Sequence, residues 1–169
     1  MAAALTAVAF LAACGSGDND DAEGGSNHAP AELSELPDVR PGVYNLALAA
    51  GVGDPNEVEM PQPEEELAPW LAGDGSSAVE FVAAVDGLWS AEPDCDAVAA
   101  KLDAFGTPEV LLATISEAPD EPTRDVLLGT YYGALRALAT CGSPDFPKEQ
   151  ADFAWQWAVA DSRIRQATA

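Results

Sequence analysis

Apolar residues recur at helical spacing from residue 76 to the end of the chain, and no stretch there alternates with the period of two that is typical of strands. The predicted apolar faces, in chain order, are Phe81, Val82, Val85, Leu88 and Trp89; Cys95, Val98, Leu102 and Phe105; Val110, Leu111 and Ile115; Leu127, Tyr131, Ala134, Leu138 and Cys141; and Phe153, Trp157, Ala160 and Ile164. This pattern predicts an all-α fold, a small bundle of about five helices.

Capping residues, prolines and glycines indicate where these helices begin and end. Ser77 and Glu80 form a capping-box pattern, with Ser77 as the N-cap of the first helix. Gly106 is placed to end the second helix, and Gly142 the fourth. The starts of the second to fifth helices are indicated, in order, by Asp94, Thr107–Pro108, Pro122 or Thr123, and Pro147.

Composition divides the chain into four parts. Residues 1–13 are almost wholly small or apolar, and 14–39 are rich in Gly, Ser, Asp, Asn and Glu. Residues 40–75 are rich in Pro and Glu, and 76–169 form the predicted helical domain. We expect 14–39 to be a disordered acidic tether, because it has too few apolar groups to offset chain entropy. Residues 40–75 either dock partly on the domain or continue the tether.

The apolar run ends in Leu11-Ala12-Ala13-Cys14, followed by Gly15-Ser16-Gly17. The run is too short to span a bilayer, since about 20 residues are needed, and it has the length of a signal-peptide core. The motif resembles the lipobox of bacterial lipoproteins. The resemblance implies that a peptidase cuts before Cys14, which carries diacylglycerol and fatty acyl groups such as palmitate and anchors the protein to the cell membrane on its extracytoplasmic face.

The start of the chain departs from that pattern. A signal peptide opens with a basic region, and no Lys or Arg precedes Cys14. We therefore expect the true N-terminus to lie upstream. The alternative is an internal apolar N-terminus in which Cys14 is a free buried thiol. In the rest of the chain we identify no functionally characterised domain family.

If Cys14 is lipidated, Cys95 and Cys141 remain as an even pair in an oxidising compartment. We predict that they form a disulfide, which is worth about 4 kcal/mol for a loop of this size. Both cysteines extend apolar faces, so we expect both sulfur atoms to point toward the core. Antiparallel packing would bring the start of the second helix to the end of the fourth.

Charge and residue types exclude several functions. The formal net charge of −22 disfavours nucleic-acid binding, because phosphates would repel the protein. His28 is the single histidine and lies in the predicted tether, so a Ser-His-Asp or Cys-His centre in the domain lacks its base. We predict neither a catalytic site, nor a metal site, nor a cofactor. An enzyme that uses only carboxylates for catalysis is the least favoured alternative.

Three aromatic residues are candidates for binding a partner: Trp155, Tyr132 and Trp70. Trp155 lies opposite the predicted buried face of the last helix, so that helix is either sandwiched or exposes an aromatic patch. The favoured interpretation is that the 40–72 segment covers Trp155, through residues 67–71. Gly129 and Gly133 have the spacing of a close helix crossing, for which packing inside the bundle is the simpler explanation.

Together these features predict an envelope lipoprotein without enzymatic activity. We expect it to act as an accessory subunit or adaptor for an envelope or membrane protein. The alternative is a small-molecule binder with an apolar pocket between helices, lined by Tyr131, Trp157 and Phe153.

Overall fold

A computed structural model describes residues 60–169 of the chain. The predicted signal peptide and tether, with Cys14 and His28, lie outside these residues. The helices are α1 (Leu67–Ala72), α2 (Ser76–Ala84), a 3-10 helix (Asp86–Trp89), α3 (Cys95–Asp103), α4 (Pro108–Ser116), α5 (Glu121–Ala139) and α6 (Phe146–Thr168). No strand occurs in this part of the chain, so the predicted all-α bundle is confirmed.

The two long helices α5 and α6 pack along each other and form the centre of the bundle. Helices α1 and α2 and the 3-10 helix lie against α6, and α4 bridges α2 and α5. The core lies where these faces meet, around Phe81, whose ring centroid is 6.0 Å from that of Tyr131 and 6.4 Å from that of Phe105. Burying a side chain of this size contributes about 1.5 to 3 kcal/mol of transfer free energy.

Helix starts follow the predicted signals in most cases. Asp94 caps α3, its carboxylate accepting the Ala97 N–H at 2.9 Å, and Thr107 precedes α4 with Pro108 in its first turn. Helix α5 begins slightly before the predicted residues, at Glu121, with Asp120 as its cap. The capping box was wrong. Helix α2 begins at Ser76 behind Gly75, and no side chain caps it.

Part of the 40–75 segment is folded against the helical domain. Leu67 and Leu71 are buried, and α1 contacts both α2 and α6. The Trp70 ring lies over the backbone of Gly75, where an added Cβ would be 2.5 Å from ring carbons. Only glycine leaves room for this contact, so Gly75 fixes the position of α1 beside α2.

Gly133 allows α5 and α6 to approach closely. A Cβ at this position would lie 3.6 Å from the Phe153 Cα and 2.3 Å from the Gln156 Oε1. Nearby, the hydroxyl of the fully buried Thr130 donates to the Val126 carbonyl at 2.8 Å and to the Gln156 carbonyl at 3.3 Å. Gly133 therefore serves packing within the bundle, while a packing role for Gly129 stays a prediction.

A disulfide joins Cys95 at the start of α3 to Cys141 just beyond the end of α5, with the Cα atoms 6.6 Å apart. The predicted pairing is confirmed. The expected orientation is wrong for Cys141, which is exposed, while Cys95 is half-buried. Because α5 ends at Ala139, Cys141 lies in the following turn and no longer continues the buried face of the helix. The bridge therefore lies at the surface.

Candidate functional site

Trp89 is the most exposed aromatic residue in the described part of the chain, with half of its surface accessible. The prediction that it belongs to the buried face of the first helix was wrong. Helix α2 ends at Ala84, and the chain tightens into the 3-10 helix at Asp86–Trp89. Val85 and Leu88 remain buried, but the change in helical period turns Trp89 outward.

Trp157 of α6 supports the Trp89 ring from beneath. Their ring centroids are 5.4 Å apart and the rings are tilted by 40°. The half-buried Trp157 is itself held in place, because its Nε1 donates a hydrogen bond to the Val82 carbonyl at 2.8 Å. The exposed Trp89 indole thus packs on the Trp157 indole, whose N–H is already hydrogen-bonded within the protein.

The backbone that carries Trp89 is held from both sides. Gln150 of α6 donates from Nε2 to the carbonyls of Leu88 and Ser90, each at 2.8 Å. Both amide protons of this side chain are therefore used on the residues flanking Trp89. These bonds satisfy carbonyls at the end of the 3-10 helix and fix the direction in which Trp89 leaves it.

An acidic residue, Asp86, belongs to the same 3-10 helix as Trp89. Asp86 is exposed and lies three residues before Trp89 in the 3-10 helix, where side chains at this spacing eclipse each other. Residues 60–169 carry 19 acidic and 6 basic side chains. Three of these cations already contact carboxylates: Lys148 contacts Glu149 and Asp152, Arg163 contacts Asp120, and Arg165 contacts Asp161. We call Trp89, Trp157 and Asp86 the tryptophan surface.

The three aromatic residues predicted to bind a partner are half-buried. Trp155 packs against the core, and so does Trp70, which also covers Gly75. Tyr132 makes an edge-to-face contact with the buried Tyr131, at 5.1 Å between ring centroids. Val159, on the same side of α6 as Trp155, is buried, so α6 is sandwiched. A partner-binding role for Trp155, Tyr132 and Trp70 stays a prediction.

The residues expected to line an apolar pocket are engaged within the protein. Phe153 and Tyr131 belong to one buried cluster, and Trp157 is hydrogen-bonded to Val82 and packed against Trp89. Burial raises the pKa of Tyr131 to about 12, and the neighbouring Tyr132 and Glu109 add to this effect. Tyr131 therefore stays protonated at neutral pH as part of the core.

A buried ion pair joins three parts of the described chain, and the sequence pattern did not reveal it. The Arg163 Nη2 lies 3.1 Å from the Asp120 Oδ1, its Nε donates to the Thr123 hydroxyl at 3.1 Å, and its Nη1 donates to the Pro61 carbonyl. Burial acts to raise the Asp120 pKa, but hydrogen bonds from Thr123 and the Arg163 guanidinium together lower it below its ordinary value. All three nitrogen atoms of the Arg163 guanidinium donate hydrogen bonds to groups of the protein itself, so the pair has a structural role.

Within residues 60–169, no group of three or more His, Cys, Asp or Glu side chains is arranged to hold a metal ion. No helix in that range is both long and apolar enough to cross a membrane. Comparison of the chain with protein-family models, with curated proteins and with solved structures returned no match.

Proposed function

We propose that this chain is an extracytoplasmic lipoprotein, anchored to the cell membrane through Cys14, that serves as an accessory subunit or adaptor. Its helical domain binds an envelope or membrane protein through the tryptophan surface. The observation that carries the proposal is the exposure of Trp89 on a rigid backing of Trp157 and Gln150.

An exposed tryptophan on fixed supports has the properties of an interface anchor. Tryptophan is enriched among residues that dominate binding energy, and an anchor that is already ordered loses little conformational entropy on binding. Trp89 remains half-accessible in the folded domain. Its indole is therefore accessible to a partner protein.

The region before residue 60 supports the same function. The Leu11-Ala12-Ala13-Cys14 motif supports an anchor at the membrane, and the acidic, Gly- and Ser-rich composition after it supports a spacer between the lipid and the domain. A lipid-anchored binding domain on such a spacer searches the membrane surface around its anchor. This raises its effective concentration near a partner in the same membrane.

The alternative function, binding of a small apolar molecule between helices, has less support. Its predicted lining residues Tyr131 and Phe153 are buried in contact with the rest of the core, and Trp157 uses its indole N–H on Val82. A ligand entering there would have to displace these contacts.

The anchor is tested by mass spectrometry of the N-terminal peptide and by fractionation of cells. We expect a diacylated or triacylated Cys14 at the N-terminus, and we expect Cys14→Ser to move the protein out of the membrane fraction. An unmodified Cys14 in a chain that retains residues 1–13 would contradict the anchor, whatever the domain binds.

The partner is tested by photo-crosslinking in intact cells, with a photoreactive aromatic residue, which keeps a ring at the anchor position, placed at position 89 or at position 110. Val110 is the matched control because it is also exposed and apolar but lies on α4, away from Trp157. We expect one partner in stoichiometric amount at position 89 and not at position 110. The purified partner should then bind the wild-type chain and bind Trp89→Ala at least about tenfold more weakly.

Two outcomes contradict the adaptor function. Equal crosslinking at positions 89 and 110 would indicate random collisions in the envelope. A partner that binds Trp89→Ala as well as it binds the wild type would place the interface elsewhere. Because Trp89 is half-exposed, Trp89→Ala should unfold at nearly the wild-type temperature, which separates lost binding from lost folding.

A further inference from the structure

We infer that the tryptophan surface recognises a protein segment that presents an arginine or lysine side chain. This inference rests on the proposed function and specifies the chemistry of its partner. The cation would lie on the Trp89 ring, with its charge directed at the Asp86 carboxylate.

An aromatic face and a carboxylate lie on one side of a short helix. Asp86 and Trp89 are the first and last residues of the 3-10 helix, and side chains three apart in such a helix eclipse each other. Cations bind to the faces of aromatic rings, and tryptophan is the strongest ring for this contact. A carboxylate beside the ring adds a charged acceptor for the same guanidinium or ammonium group.

The Trp89 ring is held in place before a partner binds. The Trp89 ring rests on Trp157, and Gln150 holds the carbonyls on either side of Trp89. Within residues 60–169 the Asp86 carboxylate makes no hydrogen bond or ion pair, and Asp86 is exposed. A partner cation would therefore displace only water from this site.

The charge of the chain disfavours the nearest competing occupants of this surface. Residues 60–169 carry 19 acidic against 6 basic side chains, and residues 1–59 carry 10 acidic residues against Arg40 alone. A second copy of this chain and its own N-terminal region are both strongly acidic and would be repelled. A cationic segment of another protein is attracted by the same field.

The inference is tested on the full chain, purified from membranes in mild detergent and labelled with ¹⁵N at tryptophan. The probe is a short capped peptide of alternating glycine and arginine. Its matched control replaces arginine with citrulline, which keeps the shape and removes the charge. The chain has 4 tryptophans, so the indole N–H signals are assigned with single Trp→Phe variants.

We expect the arginine peptide to shift the signals of Trp89 and Trp157 in a saturable way, while those of Trp70 and Trp155 stay in place. The citrulline peptide should leave all of them unchanged. Asp86→Asn should weaken binding of the arginine peptide by up to about fivefold, the range of an exposed ion pair. Asp74→Asn is the control: it makes the same charge change on an exposed residue that precedes α2, whereas Asp86 follows α2. This variant should bind the arginine peptide within about twofold of the wild-type affinity.

Each remaining outcome overturns the inference. Equal losses in Asp86→Asn and Asp74→Asn would mean attraction by net charge alone, without a site. Equal binding of the citrulline peptide would mean that the ring, and not the charge, is recognised. A wild-type dimer that becomes monomeric in Trp89→Ala, seen by sedimentation, would assign the surface to a second copy.

The two proposals fail separately. A stoichiometric partner crosslinked at position 89 whose binding is unaffected by Asp86→Asn would leave the adaptor function standing and overturn the inference. Site-specific peptide binding in a chain that has no crosslinked partner in cells would support the surface chemistry and contradict the adaptor function.

Discussion

Arg163 is the largest fully buried side chain of the domain, and its charge is satisfied by groups from three separate parts of the chain. The guanidinium contacts the Asp120 cap of α5, the Thr123 hydroxyl in its first turn and the Pro61 carbonyl before α1. Removing two charges from water costs several kcal/mol each, which such contacts must offset. The pair thus specifies how the 60–72 segment and the start of α5 meet α6.

Replacing Arg163 should destabilise the protein strongly. Arg163→Met keeps much of the side-chain volume but leaves the Asp120 carboxylate buried without its cation, which we expect to lower the free energy of unfolding by about 3 to 5 kcal/mol. Urea denaturation measures this loss. Arg165→Met is the matched control, because it removes only the exposed pair with Asp161 and should cost about 0.5 kcal/mol or less. Similar losses in the two variants would contradict a special role for the buried pair.

The lowered pKa of Asp120 predicts a specific dependence of stability on pH. The carboxyl binds a proton less readily in the folded than in the unfolded chain, so its stabilising contribution is complete above about pH 4, the unfolded value, and is lost as the pH falls through the folded pKa. Asp120→Asn keeps a good helix cap but has no such titration. We expect the stability difference between wild type and this variant to shrink as the pH is lowered below about 4.

Comparing the two proteins is essential to that measurement. The chain has a formal net charge of −22, so protonating its other carboxylates relieves repulsion and acts in the opposite direction. The difference between wild type and Asp120→Asn removes this common contribution. A difference that stays constant from neutral to acidic pH would show that Asp120 titrates alike in the folded and unfolded chain.

At the scale of elements, the sequence predicted the helices and their order but misjudged which face of α6 is buried. The predicted stripe contained Phe153 and Ala160, which are buried, and Trp157 and Ile164, which are half-buried. The observed stripe also includes Glu149, Gln156 and Arg163. A search for apolar residues passes over these three, and the carboxylate that makes the burial of Arg163 favourable, that of Asp120, lies 43 residues away in sequence.

The sequence contains a local signal against the predicted burial of Trp89. The apolar spacing through Val85, Leu88 and Trp89 suits one continuous helix, but Asp86-Gly87 is a dipeptide typical of turns. Weighing that signal above the apolar spacing would have ended α2 before residue 86. The stacking on Trp157 could not have been predicted, since it depends on how α6 packs against the 3-10 helix.

Gly133 offers a test of the α5–α6 crossing. Gly133→Ala should favour the helix by up to about 1 kcal/mol, but its Cβ would overlap the Gln156 side chain, and overpacking costs about 1 to 3 kcal/mol. We expect net destabilisation of about 1 kcal/mol, measured by urea denaturation. In a Gln156→Ala background the overlap is absent, so adding Gly133→Ala should be neutral or stabilising. An equal loss in both backgrounds would place the restriction at the backbone of Phe153.

At the scale of the whole molecule, a small and strongly acidic domain is held together by a modest core and one surface disulfide. Like charges destabilise the compact state, and the net charge is large for a chain of 169 residues. Helix α3 packs mainly on α2 and the 3-10 helix, so the Cys95–Cys141 bridge is its direct link to the end of α5. The same 3-10 helix carries Trp89, so the bridge also supports the tryptophan surface.

Removing the disulfide should therefore loosen one side of the molecule more than the rest. We expect the double variant Cys95→Ala/Cys141→Ala to lose about 3 to 4 kcal/mol of unfolding free energy, because the unfolded chain regains the freedom of a long loop. Hydrogen exchange should accelerate most in α3 and the 3-10 helix and least in α5 and α6, where the two long helices support each other. Reduction of the wild-type chain should reproduce the pattern, and a variant with Cys14→Ala alone should not. Uniform acceleration across all helices would mean that the bridge acts only through the unfolded state and that the core alone positions α3 and Trp89.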